Sequence, residues 1–247
     1  MRLPIVKGPV IRGTITRRLL VSFRVDTDAV VSMLPSGSSP RLKDGRAIAG
    51  ICLTRLEELR TRFVPIPCGS MTESALHLIA VEPNARPTEA GGSADKEPAD
   101  KVFVARRDVS SLVGHLAGGH RTPDAERSLS TFEVDEEQGC IDVAVRAPDG
   151  RMTLRIAGHV AETLPEGSVF DSVADAVQFL DGTHAAPGTD TNWVAHPMDV
   201  SRVESSFFDD SAHFPDGQVE LDHAVLLHNV GSDWHPAPDL HGGRLVC

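Results

Sequence analysis

The chain has 247 residues, 24 Lys and Arg against 35 Asp and Glu, and 40% hydrophobic residues, a balance that suits a globular core with a solvated surface. Its net charge of −11, the absence of Tyr, and only two Trp and nine Phe argue against a nucleic acid as partner, because phosphate needs a basic surface and unpaired bases need aromatic platforms. No stretch reaches the roughly 18 apolar residues of a transmembrane helix, and the opening MRLPIVKGPVIRG lacks the unbroken apolar run of a signal peptide. The expectation is a cytoplasmic chain with no membrane partner. Cys52, Cys68, Cys140 and Cys247 are widely spaced and form no CxxC pair, which reads as reduced thiols.

In chain order, residues 14–25 (TITRRLLVSFRV) predict a strand rich in branched and apolar side chains. DTDAVVSMLP predicts a short helix, capped by Asp26 or Thr27 and stopped by Pro35, with Val30, Val31, Met33 and Leu34 on its apolar side. After the turn LKDGR, the first half of AIAGICLTRLEEL suits a buried strand, and SMTESALHLIAV suits another. Residues 83–101 (PNARPTEAGGSADKEPADK) have nothing to bury and read as a flexible internal loop rather than a domain boundary. Strand-like sequence resumes at once with VFVAR.

VSSLVGHLAGGH is open between a short helix and a turn. Strands follow in SLSTFEV, CIDVAVRA and RMTLRIAGHV, the last two joined by Pro148-Asp149-Gly150, a strong turn signal. DSVADAVQFLDG has helical spacing at Val173, Ala176, Val177 and Leu180, with Asp171 and Ser172 before it and Gly182 after it, and so predicts a helix. MDVSRVESSFF and QVELDHAVLLHNV are further strands, and the tail reads as frayed. Many strands and two or three short helices predict one mostly β (α+β) domain, a closed or nearly closed antiparallel barrel or sandwich. A barrel of this size can hold one small ligand in its interior.

Motifs for phosphate or nucleophile-elbow chemistry, GxxxxGK[ST], GxGxxG and GxSxG, do not occur. Eleven histidines invite a metal. Yet His115 and His120, like His223 and His228, are five apart, a spacing that sends strand side chains to opposite faces. No metal and no cofactor are expected.

Three segments occur together in order: RLLVSFRVDTDAVVSMLPSG at 18–37, MTESALHLIAVE, and VFVARRDVSSLVGHLAGGH. The first resembles the opening strand and helix of the acetoacetate decarboxylase-like superfamily, and the second its strand bearing "TES". The third resembles its lysine-bearing segment. The likeness covers residues 14 to about 120 and is nearer to an uncharacterised bacterial branch than to the decarboxylase itself. It implies an antiparallel β-barrel or cone, and chemistry in which a lysine of lowered pKa condenses with a ketone, as in acetoacetate decarboxylase.

The same resemblance places Glu73 on an active-site glutamate and Arg107 with Asp108 on an Arg-Glu pair. It places Gly114 where the nucleophilic lysine stands, with His115 beside it. Glycine cannot form an imine, and the four lysines, Lys7, Lys43, Lys96 and Lys101, lie elsewhere. The family's other carboxylate has no equivalent in AIAGIC. Its N-terminal arginine falls at Thr16, with Arg17 one residue away, an offset that turns a strand side chain to the other face. The expected site therefore comprises Glu73 and His115 as catalytic candidates, with Arg107 and Arg17 binding a carboxylate or carbonyl. Two functions remain open. One is a small-molecule-binding barrel or lysine-independent lyase acting on a keto acid; the other is a scaffold or interaction domain, its barrel filled by side chains such as Leu112 and Phe103. A small molecule and a second copy of the chain are the partners left open.

Overall fold

The computed structural model describes residues 11–61, 71–82, 102–111, 126–180, 193–215 and 217–229. Among the described residues, eleven strands form one sheet. They are β1 (Ile11–Val25), β2 (Leu42–Lys43), β3 (Arg46–Thr61), β4 (Met71–Ala80), β5 (Val102–Val109), β6 (Glu126–Leu129), β7 (Thr131–Glu137), β8 (Cys140–Arg146), β9 (Met152–Val160), β10 (Trp193–Ser205) and β11 (Val219–Asn229). Their order is β6-β5-β4-β3-β1-β11-β10-β9-β8-β7, with β2 beside β3, and the sheet curls into a nearly closed barrel. All pairings are antiparallel except β5 with β6. The first described strand, β1, pairs with the last, β11, so each half of the sheet order is one run of strands that are consecutive in sequence, and the two runs join at mid-sheet.

Alternation along each strand sets the faces. Leu19, Val21, Phe23, Ala49, Ile51, Leu53, Ala75 and Ile79 face inward. They pack on Ile141, Val143, Val145, Leu154 and Ile156 from the opposite wall and on Phe207, Phe208 and Phe214. This apolar cluster fills the middle of the barrel. Outside, Leu20, Cys52, Leu76, Leu78, Val225 and Leu227 form a second layer. Because β1, β3, β4 and β11 are covered on both faces, they read in sequence as nearly continuous apolar runs. The outer face of β7 is wet, and its burial alternates from Thr131 to Asp135, with Phe132 and Val134 turned inward.

The expected first helix is α1 (Thr27–Val31), shorter than its sequence signal, and Asp26 caps it by accepting from the N–H groups of Asp28 and Ala29. The expected later helix is α2 (Val173–Leu180), with Ser172 Oγ accepting from Asp175 N. Its Ala176, Phe179 and Leu180 pack with Ile48, Ala80 and Phe170 outside the barrel. The segment before α2 is pinned by Asp222, which accepts from Ser168 Oγ at 2.8 Å, Val169 N at 3.0 Å and His223 Nδ1 at 2.6 Å. AIAGICLTRLEEL is strand throughout, and SLSTFEV is divided by Ser130 into β6 and β7. The proposed loop at 83–101, most of VSSLVGHLAGGH and the C-terminal tail lie outside the described residues. Among the described residues, no helix is long and apolar enough to cross a membrane.

Candidate functional site

One rung of the inner face is polar. His228 on β11 stands opposite Arg17 on β1, Arg17 opposite Arg55 on β3, and Arg55 opposite Glu73 on β4. Directly opposed residues share a face, and the next inward rung carries Leu226, Leu19, Leu53 and Ala75. Two arginines side by side repel each other unless an anion intervenes. Glu73 supplies it, accepting from Arg17 Nη2 at 2.8 Å through Oε2 and from Arg55 Nε at 2.7 Å through Oε1. Glu136 reaches across from β7, its Oε2 accepting from Arg17 Nη1 at 2.9 Å and its Oε1 meeting His228 Nε2 at 2.8 Å.

The five side chains are graded from buried to wet. Arg17 and Glu73 are 2% and 4% exposed, Glu136 and Arg55 are 25% and 26%, and His228 is 42%. The cluster thus sits at an accessible end of the interior, above the apolar filling. Burial pushes the Glu136 carboxyl up, but the hydrogen bonds and charges of Arg17 and His228 outweigh it and hold it below the ordinary carboxylate range. Burial lowers the Arg55 guanidinium pKa, and the hydrogen bond and charge of Glu73, with the charges of Glu136 and Glu57, more than reverse this. Among the described residues, Arg55 spends only Nε on the network and its two Nη groups have no partner. Arg17 Nε is buried and likewise unpartnered. The arrangement can therefore offer donors to an incoming anion without losing its internal pairs.

A second polar patch lies deeper on the same face. His77, four residues beyond Glu73 on β4, is fully buried against the rings of Phe207 and Phe208 at 4.9 and 5.9 Å, with Nε2 3.3 Å from Ser205 Oγ. Burial first, and then the charge of Arg106, lower its pKa to about 3, so the ring is neutral at physiological pH. Arg106 donates to Asp108 at 3.1 and 3.3 Å and to Ser206 Oγ at 3.1 Å, and Ser130 Oγ donates to Asp108 at 3.0 Å.

Of the residues expected from sequence, the structure brings Glu73 and Arg17 into contact. An irregularity between Ile15 and Arg17 in the β1–β3 register leaves Thr16 as the extra residue, so Arg17 and not Thr16 faces inward. Arg107 is not part of this cluster. It stands opposite Leu76, on the outer layer, while Arg106 opposite His77 and Asp108 opposite Ala75 take the inner face. The expected neighbourhood of Glu73 and Arg107 is thus corrected to Glu73 with Arg17 and Arg55. His115 and Gly114 lie outside the described residues, as do Lys7, Lys96, Lys101 and Leu112. Lys43 lies outside the barrel cluster, with Nζ 5.5 Å from the Phe170 ring, and Phe103 packs against the interior core.

No protein-family model matches the sequence, and no curated protein matches it. The architecture has clear counterparts among solved structures. An acetoacetate decarboxylase-like enzyme from Sphingomonas wittichii RW1 superposes with a TM-score of 0.53 at 11% identity, covering 91% of this chain and 94% of that one. The fold is acetoacetate decarboxylase-like. The enduracididine biosynthesis enzyme MppR with HEPES buffer bound gives a TM-score of 0.52 at 16% identity over 98% of this chain and 89% of that one. The same enzyme complexed with pyruvate gives 0.50 at 14% identity, over 91% and 89%. At these identities the likeness concerns the decarboxylase-like fold, and the chemistry of the polar rung rests on its own residues.

Proposed function

We propose that the polar end of this decarboxylase-like barrel binds a small keto acid or related carboxylate through charge-assisted hydrogen bonds and forms no imine with it. The observation that carries the reading is Arg55, whose two Nη groups have no partner among the described residues while Glu73 anchors its Nε at 2.7 Å. A guanidinium held by one edge presents its remaining donors in the planar fork that suits a carboxylate. Arg17 adds buried positive charge behind it. MppR, a fold neighbour, is known in complex with pyruvate, which makes a short 2-keto acid the natural first ligand to try. The lysine-free reading draws support from Gly114, on which the sequence resemblance places the nucleophilic lysine, and from a described polar rung built of arginine, glutamate and histidine.

The test is thermal denaturation with pyruvate, acetoacetate and related acids. A ligand-dependent rise in melting temperature, lost in Glu73→Gln, is the expected result; a full panel without effect contradicts it. Borohydride treatment in the presence of the ligand is expected to leave the protein mass unchanged, and an adduct at Lys101 would overturn the imine-free reading.

A second reading, a scaffold without a ligand, is favoured by the apolar cluster that fills the middle of the barrel and by the internal pairing of Glu73 and Glu136. The same melting experiment separates the two.

A further inference from the structure

We propose that His228 and Glu136 form an acid–base pair that exchanges protons at the carbon next to the carbonyl of a keto acid held at the polar end. This rests on the keto-acid reading above.

Glu136 fixes the imidazole tautomer. Its carboxylate is ionised, with Oε2 taken by Arg17 Nη1 at 2.9 Å, so Oε1 can only accept from His228 Nε2 at 2.8 Å. In the neutral ring the proton is then on Nε2 and the lone pair on Nδ1. Among the described residues Nδ1 has no partner, and the side chain is 42% exposed. A base whose far nitrogen is held by an arginine-anchored carboxylate, itself 25% exposed, while its near nitrogen has no partner among the described residues, has the geometry that general-base catalysis requires.

The surroundings fit a small keto acid. Arg17 faces His228 from β1, Glu136 from β7 and the exposed Val194 from β10. Beyond Arg17 stand Arg55 and Glu73. The strands β3 and β11 flank β1, so Arg55 and His228 are about 10 Å apart at the backbone, and side chains reaching from both can touch one small molecule. Arg55 takes the carboxylate, and Val194 offers the apolar side that a methyl or methylene group prefers.

The step balances without another reactant. Nδ1 removes a proton from the carbon next to the carbonyl, the C–H electron pair becomes the C=C bond, and the carbonyl π pair moves to oxygen. The neighbouring guanidinium charge stabilises that oxyanion. Reversal returns a proton from the imidazolium to carbon. In D2O the imidazolium exchanges its proton with solvent, and the ligand gains deuterium.

The experiment follows the methyl proton signal of pyruvate in D2O by NMR, alongside pyruvate-dependent melting shifts, for the parent protein, His228→Gln and Glu136→Gln. The parent is expected to exchange the methyl protons at least ~100-fold faster than buffer, in the range of general acid–base catalysis. His228→Gln is expected to lose at least ~10-fold of that rate while keeping the pyruvate-dependent melting shift. Glu136→Gln is expected to slow exchange as well, because an amide no longer fixes the tautomer. Binding by the parent with exchange no faster than buffer overturns the proposal, as does unchanged exchange in His228→Gln. Absence of any pyruvate-dependent shift in the parent removes the keto-acid reading itself.

Discussion

Arg17 on β1 and Glu136 on β7 meet inside the barrel at 2.9 Å, although they are 119 positions apart in sequence and the strands β8, β9, β10 and β11 lie between them in the sheet. The contact joins the two halves of the sheet through the interior, at the level where the apolar filling stops. It also links two otherwise separate pairs, Glu73 with its arginines and Glu136 with His228.

Removing Glu73 leaves Arg17 buried with one anion lost and Arg55 facing it unbridged. Breaking a buried ion pair from one side costs about 3–5 kcal/mol, so Glu73→Ala is expected to lower unfolding stability by that order. Urea denaturation measures it. A loss below about 1 kcal/mol, the scale of an exposed pair, would mean the cluster is solvated rather than buried.

His77 gives the fold a pH dependence of known sign. Its folded-state pKa is about 3 against an ordinary value of 6.5, so between these values the unfolded chain binds a proton that the folded chain refuses. Stability therefore falls as pH drops below about 6.5, with a slope approaching ~1.4 kcal/mol per pH unit. Glu136 and Asp222 are both held below the ordinary carboxylate range, and they add to the loss only at lower pH. Denaturant midpoints between about pH 4.5 and 6.5 should show the slope in the parent and a flatter line in His77→Phe. Equal slopes in the two proteins contradict the assignment.

Asp222 tethers the segment before α2 by accepting from Ser168 Oγ and Val169 N. Asp222→Asn trades the ionised acceptor for an amide and weakens both bonds. Hydrogen exchange at the Val169 amide should accelerate while amides at the centre of β3 keep their protection. Uniform acceleration would instead report global destabilisation.

Two glycines make a matched test of packing. A Cβ on Gly158 would stand 2.5 Å from Asp199 O and 3.1 Å from Val200 Cα, both backbone atoms of the neighbouring β10, whereas a Cβ on Gly167 meets nothing within 4 Å. Gly158→Ala is expected to cost about 1–3 kcal/mol through overpacking. Gly167→Ala is expected to be neutral or slightly stabilising. Similar melting temperatures for the two variants would contradict the close approach.

Much of the barrel was legible because double-sided burial leaves a local mark, the apolar runs of β1, β3, β4 and β11. Glu73 was legible through ordered segments that resemble the decarboxylase-like superfamily, and Arg17 only as the neighbour of Thr16, near which that resemblance places an arginine. Arg55 was not, since LTRLEELR mixes charge and leucine in a way that hides which residues face inward. Glu136 sits in the acidic run EVDEEQG, which reads as a solvated turn until β7 closes over Arg17. His228 is one of eleven histidines, and only its register against Arg17 sets it apart. Arg107 shows the opposite failure. The irregularity between His77 and Leu78 in the β4–β5 register sets the inward phase of β5, and a phase error of one residue exchanges Arg107 for its neighbours.

The most direct test of the account is a crystal structure of the protein soaked with pyruvate. The expected result is pyruvate at the polar end, its carboxylate on the Nη groups of Arg55, its carbonyl unbonded to any lysine, and Glu73 still held between Arg17 and Arg55. An apolar-filled barrel with no ligand at that end, or a covalent imine to a lysine, would contradict it.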